Sequence, residues 1–284
     1  MRKHLFILLF AGTFLAAQQS QQLVLNKAEN VGMSSKRLNY ISQTFNKYVD
    51  QGQLPGTVTL IARKGQVVYH EAIGMQDIEN EISMRTDAIF RIASQTKAIV
   101  STAVMMLQER GQLLISDPIS KYIPEFKNSK VAVKIDDDSY DVVPANREIT
   151  IRDLLTHTAG IGYGSGIAAD KWKEADLQGW YFANRDETVL ETIKRIAELP
   201  HDAQPGSQFV YGYNTDILGA LVNVVSGQSL ADFLSENILS PIGMNDTYFY
   251  LPKNKAARLA KVYNMIDQKL IKAPKKRTMQ SQGA

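Results

Sequence analysis

Residues 90–100 of the chain read FRIASQTKAIV and place Ser94 three positions before Lys97. The apolar positions that follow predict a helix over Ser94–Arg110 that is buried on most sides. A serine at the start of such a helix lies near free backbone N–H groups, and a lysine three residues later shares its face. We expect desolvation beside Ile99 to lower the pKa of Lys97. The pair therefore predicts a serine nucleophile that is activated without histidine.

The segments around this pattern make it more specific, because four residues alone also fit a helix cap followed by a structural lysine. Several blocks in the same order resemble the serine β-lactamase-like family, which includes class C β-lactamases, D-alanyl-D-alanine peptidases and related esterases. The resemblance covers roughly residues 30–265, and its blocks are ITIRDLLTHTAG at 149–160, PGSQFVYGYNTDILG at 205–219 and PIGMNDT at 241–247.

The resemblance implies a catalytic role for Tyr211, which stands where the family has its second motif, Tyr-x-Asn. Tyr211 and Lys97 together are expected to take the proton from Ser94 and return it to the leaving group. The sequence departs from the motif at its third position, which is Tyr213, and Asn214 follows one step later. We expect Tyr213 and Asn214 to contact the substrate, and Tyr213 is a lesser alternative for the working tyrosine. No cofactor and no metal site are implied.

The fold class implied by the resemblance is α/β (α+β), with an antiparallel sheet flanked by helices and a mainly helical region at about residues 95–245. Apolar periodicity predicts a helix over Ser34–Asp50, capped by Ser34 or Ser35. Two strands, Thr57–Ala62 and Gln66–His70, are expected to form a hairpin. The family's third motif, on a strand that donates half of the oxyanion hole, is not found. We therefore expect an incomplete sheet in a C-terminally truncated chain.

Two charged stretches are expected to be solvated. They are the acidic residues at 136–141 and the basic tail at 253–277. A calcium loop at the acidic stretch is an alternative, but the spacing and the terminal glutamate of an EF-hand are missing.

The first residues of the chain predict export. Residues 1–17 combine a basic start with a short apolar run and predict a signal peptide, residues 18–30 a polar spacer, and residues 31–284 the hydrolase-like domain. An uncleaved membrane anchor is the alternative reading of residues 1–17.

The composition of the chain excludes several other classes of partner and site. Without Arg2 and Lys3 the net charge falls from +3 to +1, which gives no support for a nucleic-acid partner. The absence of cysteine excludes disulfides and thiolate sites.

These observations predict a periplasmic or secreted serine hydrolase that cleaves an ester or amide (peptide) bond through an acyl-enzyme on Ser94. We expect a small-molecule or peptide substrate, no stable membrane insertion after signal removal, and leave the oligomeric state open. The alternative is a non-catalytic or truncated penicillin-binding-like protein that binds peptide or cell-wall fragments without turnover. The presence of His157 suggests a Ser-His-Asp triad as a further hypothesis. The chain has no G-x-S-x-G elbow, so we interpret His157 as structural.

Overall fold

The computed structural model describes residues 24–136, 139–179 and 187–273. The fold is mixed α/β, as expected. In chain order its elements are β1 (Val24–Leu25), α1 (Ser35–Asp50), β2 (Gly56–Arg63), β3 (Gln66–Asp77), β4 (Ile82–Ser83), α2 (Thr96–Glu109), β5 (Lys130–Lys134), β6 (Tyr140–Pro144), α3 (Ile151–Leu155), α4 (Ala169–Glu174), α5 (Val189–Ala197), β7 (Pro200–His201), α6 (Asn214–Ser226), α7 (Leu230–Leu234), β8 (Tyr263–Ile266) and β9 (Lys269–Lys272).

The main sheet has the strand order β1-β3-β2, with β4 also paired to β3. Strands β2 and β3 form the predicted hairpin, because Lys64 (φ +52°) and Gly65 (φ +72°) adopt the left-handed conformations that a tight hairpin turn needs. Helix α1 begins after Ser34, whose side chain accepts from the N–H of Arg37, as predicted. The hairpin is longer than expected, and β1 pairs with β3 in parallel, so the sheet is not purely antiparallel.

The predicted helical region is organised around α2 and α6, which pack against each other. We call α2, α3, α5, α6 and α7 with their connections the helical body. Its core is closed to solvent at Leu107, Phe126 and Leu221. The region also contains a second sheet, β6-β5-β7, which the sequence reasoning missed. The acidic stretch belongs partly to this sheet, because Asp141 lies on β6 and pairs with Val133.

Helix α2 is less enclosed than its composition suggests. Val100, Ala103, Val104 and Leu107 are buried, but the Met105 side chain is 41% exposed. The expectation that α2 is buried on most sides therefore holds for one face only in the described residues. No single helix of the described ranges is long and apolar enough to span a membrane, and α6 with Leu230–Leu239 passes that test only as a pair bent by 84°.

The two ends of the described chain also differ from expectation. The predicted spacer 18–30 is too long, because β1 pairs with β3 and Ala28 is buried. In the basic tail, β8 and β9 form a hairpin whose Lys272 contacts Asp77 (3.1 Å) and Glu79 (2.7 Å), so this lysine is not merely solvated. The predicted signal peptide lies outside the described residues.

Candidate active site

Ser94 lies in a 3-10 turn, Ala93–Gln95, that leads directly into α2. The turn continues into α2, so Lys97, three residues after Ser94, lies on the same face of the helix as the serine. Lys97 Nζ lies 3.4 Å from Ser94 Oγ. The residue before the serine, Ala93, has φ +42°, a conformation that costs energy for a side chain with a Cβ. This backbone presents Ser94 at the surface, where a substrate can reach it.

Tyr211 comes from a distant part of the chain, in the loop before α6. Hydrogen bonds from the Val210 N–H to the His157 carbonyl (2.8 Å) and from the Gly206 N–H to the Thr158 carbonyl (2.7 Å) hold this loop against the end of α3. A Cβ at Gly212 would lie 2.2 Å from the Ile161 carbonyl, so only glycine allows this approach. The result is a Tyr211 hydroxyl 2.7 Å from Ser94 Oγ.

The charges at the site favour ionisation of the tyrosine. Hydrogen bonds from Lys97 and Ser94 lower the pKa of Tyr211 below its ordinary value, and burial opposes them only weakly. Lys97 Nζ also lies 4.7 Å from the centre of the Tyr211 ring. A phenolate paired with an ammonium is a stronger base than an isolated phenol at neutral pH.

The pKa of Lys97 moves in the direction opposite to our expectation. Burial does disfavour its charge, but the hydrogen bond to Tyr211 and the electrostatic influence of Tyr163, Tyr211 and Asp216 outweigh burial and raise the pKa. The raised pKa favours the charged form of Lys97 in this arrangement. A charged Lys97 at this position can stabilise a phenolate at Tyr211.

Three aromatic side chains surround the Tyr211 ring. His157 stacks on it with ring centres 5.1 Å apart and an angle of 24° between the planes. Phe209 is stacked at 6.4 Å, and Tyr163 approaches edge-on at 5.8 Å. The Phe209 side chain is nevertheless 66% exposed at the rim of the site. Contacts on several sides thus hold the Tyr211 ring, while its hydroxyl meets Ser94.

Asp216 is a site residue that the sequence reasoning missed. It lies in the first turn of α6, one helical turn after the Tyr211 loop. Burial raises its pKa to about 6, and the positive charge of Lys97 partly opposes this shift. The only sequence signal was an acidic residue in an otherwise apolar helix, YGYNTDILG at 211–219. Its carboxyl group increases the preference of Lys97 for the charged state.

The structure does not support the predicted substrate contacts of Tyr213 and Asn214. Tyr213 is 1% exposed, stacks on Trp172, and donates its hydroxyl hydrogen to the Leu177 carbonyl at 3.0 Å. Asn214 is completely buried and its amide nitrogen lies 3.0 Å from His157 Nδ1. Tyr213 immediately precedes α6 and Asn214 begins it. Both side chains are buried in the helical body, whereas Ser94 lies at the surface.

A Ser-His-Asp triad is not assembled around His157. Its Nδ1 faces the Asn214 amide, whereas a triad needs a carboxylate at that nitrogen. The described part of the chain also contains no group of three or more His, Asp or Glu side chains arranged to hold a metal ion. The groups that the structure brings together are Ser94, Lys97 and Tyr211.

Comparison with known proteins identifies the family of this chain. A profile of the beta-lactamase family matches residues 41–284. The chain belongs to the beta-lactamase family. Esterase EstB of Burkholderia gladioli is 35% identical over 213 residues, which are 74% of this chain and 50% of EstB. The chain spans about half the length of the curated relatives it matches.

Two solved structures show the same fold. The hydrolase EstCE1, described as having promiscuous acyltransferase activity, superposes with a TM-score of 0.71 at 28% identity and covers 84% of this chain and 59% of its own. Simvastatin synthase LovD of Aspergillus terreus superposes with a TM-score of 0.70 at 25% identity, over 85% of this chain and 61% of its own. The family thus includes enzymes that hydrolyse or transfer acyl groups.

Proposed function

We propose that this chain carries the nucleophile and the proton-transfer groups of a serine hydrolase that acts on ester or amide bonds. The single observation that carries the proposal is the 2.7 Å separation between the Tyr211 hydroxyl and Ser94 Oγ, beside the Lys97 ammonium. Covalent catalysis needs a nucleophile and a base within hydrogen-bonding distance, together with a third group that adjusts the pKa of the base.

In the proposed acylation step, the Tyr211 phenolate takes the proton of the Ser94 hydroxyl. Ser94 Oγ then bonds to the carbonyl carbon, and the carbonyl electron pair moves to its oxygen. When this intermediate collapses, the bond to the alcohol or amine breaks, and Tyr211 returns the proton to that leaving group. Lys97 remains protonated throughout and stabilises the Tyr211 phenolate before the proton is taken and after it is passed to the leaving group.

Deacylation uses the same groups with water as the nucleophile. Tyr211 takes a proton from water while the water oxygen bonds to the acyl carbon. Collapse then breaks the bond to Ser94 Oγ, and the serine recovers its proton from Tyr211. Water therefore supplies one hydrogen to Ser94 and the remaining hydroxyl group to the acid product, so the enzyme ends unchanged.

An ester or peptide substrate suits the site better than a β-lactam. The third position of the family's second motif, usually an asparagine that would contact the amide side chain of a β-lactam, is here the buried Tyr213. The exposed Phe209 at the rim instead offers an apolar surface. We therefore propose an esterase or peptidase rather than an efficient β-lactamase.

Labelling with a fluorescent fluorophosphonate, followed by mass spectrometry of the peptide that contains Ser94, tests the proposal. We expect an adduct in the full chain and none in Ser94→Ala. Ser235→Ala, which removes an exposed serine beyond α7, should label like the unmodified protein. Turnover of a p-nitrophenyl ester, a D-alanyl-D-alanine peptide and a chromogenic β-lactam would then rank the substrate classes.

A protein that binds a labelled peptide or penicillin saturably but forms no adduct at Ser94 would contradict the hydrolase proposal. That outcome would favour the alternative of a non-catalytic penicillin-binding-like protein. We also propose export to the periplasm or medium, on the basis of residues 1–17. Cell fractionation and N-terminal sequencing of the mature chain test export independently of activity.

A further inference from the structure

His157 stacks on the face of the Tyr211 ring, and its own backbone is held in an uncommon conformation. It has φ +57°, in the left-handed region, where histidine is tolerated better than most residues. The imidazole and phenol rings are 24° from parallel with centres 5.1 Å apart. Phe209 packs against the same imidazole at 5.6 Å. The rings of Phe209, His157 and Tyr211 thus form one aromatic stack in which each ring contacts the other two.

The partners of Asn214 define which nitrogen of His157 carries hydrogen. The Asn214 amide nitrogen lies 3.2 Å from the carbonyl oxygens of Ile161 and Val210, as well as 3.0 Å from His157 Nδ1. Carbonyl oxygens only accept hydrogen bonds, so the atom facing them must be the NH₂ group. The same NH₂ group faces Nδ1, where a hydrogen on the ring nitrogen would point at the amide hydrogens, so the geometry favours Nδ1 as an acceptor. This arrangement favours a neutral imidazole with its hydrogen on Nε2.

The surroundings of His157 favour this neutral form. Burial lowers its pKa below the ordinary histidine value, and the nearby positive charge of Lys97 lowers it further. A second cation at this point would repel Lys97, and its protonated Nδ1 would lose the hydrogen bond from Asn214. Neutral His157 leaves Lys97 as the cation that pairs with Tyr211.

We propose that His157 is a positioning residue for Tyr211, and that its neutral imidazole, oriented by Asn214, holds the phenol ring so that the hydroxyl meets Ser94 and Lys97. The role rests on the proposed function of Tyr211. It differs from a triad histidine because His157 exchanges no proton in the reaction. It acts through the stack, and displacing the reacting group by about 1 Å can lower a rate about a hundredfold.

Two substitutions separate the ring from the acceptor atom. His157→Asn keeps an oxygen near the position of Nδ1 and tolerates φ +57°, but it removes the aromatic face. His157→Phe keeps the face and removes the acceptor. His70→Asn, on the exposed part of β3, is the matched control for the loss of a histidine elsewhere.

The first measurement is the phenol ionisation of Tyr211, taken as the difference in ultraviolet titration between each variant and the same variant with Tyr211→Phe. We expect the Tyr211 pKa to move upward in His157→Asn, because the hydroxyl loses its contacts with Lys97 and Ser94. A merely structural role would not move it. This titration needs no turnover, so it tests the positioning role even if the unmodified protein fails to label at Ser94, which would contradict the proposed function alone.

The second measurement is the rate of fluorophosphonate labelling at Ser94. We expect His157→Asn to label between about tenfold and a hundredfold more slowly, and His157→Phe to recover to within about tenfold of the unmodified protein. A folded His157→Asn with an unchanged titration and labelling rate overturns the proposal, as does a His157→Phe that is as slow as His157→Asn. If His157→Asn does not fold, His157→Gly takes its place, because glycine tolerates φ +57° and also removes the ring: a raised Tyr211 pKa with slower labelling supports the proposal, and an unchanged titration and rate overturn it.

Discussion

The helical body and the main sheet bury their apolar side chains to very different extents. In the helical body, Leu107, Ile151 and Leu221 have no accessible surface. On the sheet, the Leu60 side chain is 51% exposed and Leu25 is 73% exposed. Beneath α1 the buried apolar cluster is small, consisting of Ala28, Leu38 and Tyr69. The two regions of one fold therefore differ greatly in the hydrophobic stabilisation that each contributes.

The candidate site belongs to the better buried region. Ser94 and Lys97 lie at the start of α2, and Tyr211 lies immediately before α6. These two helices pack against each other through the core of the helical body. The distance between nucleophile and base is thus fixed by helix packing, and the sheet provides none of the three groups. Changes to the sheet should alter stability more than they alter the geometry of this site.

The largest effect should come from a change that affects chemistry and neither region's packing. Tyr211→Phe removes a hydroxyl that is 2.7 Å from Ser94 in a side chain that is 45% exposed. We expect a loss of about 10²–10⁴ in the rate of ester hydrolysis, the usual contribution of a general acid–base group. The melting temperature should change little. Tyr40→Phe, on the exposed face of α1, is the control, and equal activity of the two variants would contradict the role of Tyr211.

Truncating one leucine in each region tests the comparison directly. Leu107→Ala opens a cavity in a closed core and should lower the free energy of unfolding by about 2–5 kcal/mol. Leu38→Ala should cost about 1–2 kcal/mol, because its neighbours are partly solvated and can relax. Urea denaturation of both variants measures the difference. A larger loss for Leu38→Ala would show that the sheet is the more tightly stabilised region.

Local signals explain which parts of the fold were predicted correctly. Helix α1, the Ser34 cap and the β2–β3 hairpin depend on residues close together in the chain, and they were found. Strand β6 was missed because its acidic start resembles a solvated loop, and only pairing with β5 reveals it. Alternation alone cannot show which partner a strand has.

The site divides in the same way. The Ser94–Lys97 pair and the position of Tyr211 follow from motifs. The contacts of His157 and Asp216 arise because the end of α3 packs against the Tyr211 loop and α6, which lie far from α3 in the sequence. The burial of Tyr213 and Asn214 was missed for the same reason. The Tyr213 hydroxyl and the Asn214 NH₂ group find partners inside the fold, such as the Leu177 carbonyl for Tyr213 and the Ile161 carbonyl for Asn214.

Acid should weaken the helical body through His201. This histidine is completely buried beside Phe126, and burial lowers its pKa to about 4. The unfolded chain takes up a proton near pH 6.5, whereas the folded protein resists it until about pH 4. The contribution of His201 to the free energy of unfolding is therefore fully present above pH 6.5 and is lost as the pH falls toward 4. We expect it to fall by about 2 kcal/mol between pH 7 and pH 5.

Asp216 changes the pH dependence of stability in the opposite direction. The contribution of His201 is therefore measured as the difference in stability between the unmodified protein and His201→Leu. Its raised pKa, about 6, means that the folded protein gains stability relative to the unfolded chain as the pH falls through that value. Both proteins contain Asp216, so it cancels in the difference between them. The advantage of the unmodified protein over His201→Leu should shrink between pH 7 and pH 5 in urea titrations, and a difference independent of pH would contradict this account.

The smallest effect should be a local loosening of the β8–β9 hairpin at the edge of the less buried region. Lys272 joins this hairpin to β3 through Asp77 and Glu79, and Tyr263 donates its hydroxyl hydrogen to Glu79 at 2.7 Å. Lys272→Gln removes the ion pairs but leaves the Tyr263 contact, so the hairpin should stay in place while opening more often. We expect faster amide hydrogen exchange at residues 263–272 and unchanged exchange in α2. Lys269→Gln, an exposed lysine on the same hairpin, is the control. Faster exchange in α2 would show that the two regions are coupled through this edge, and the separation between site and sheet would then be incomplete.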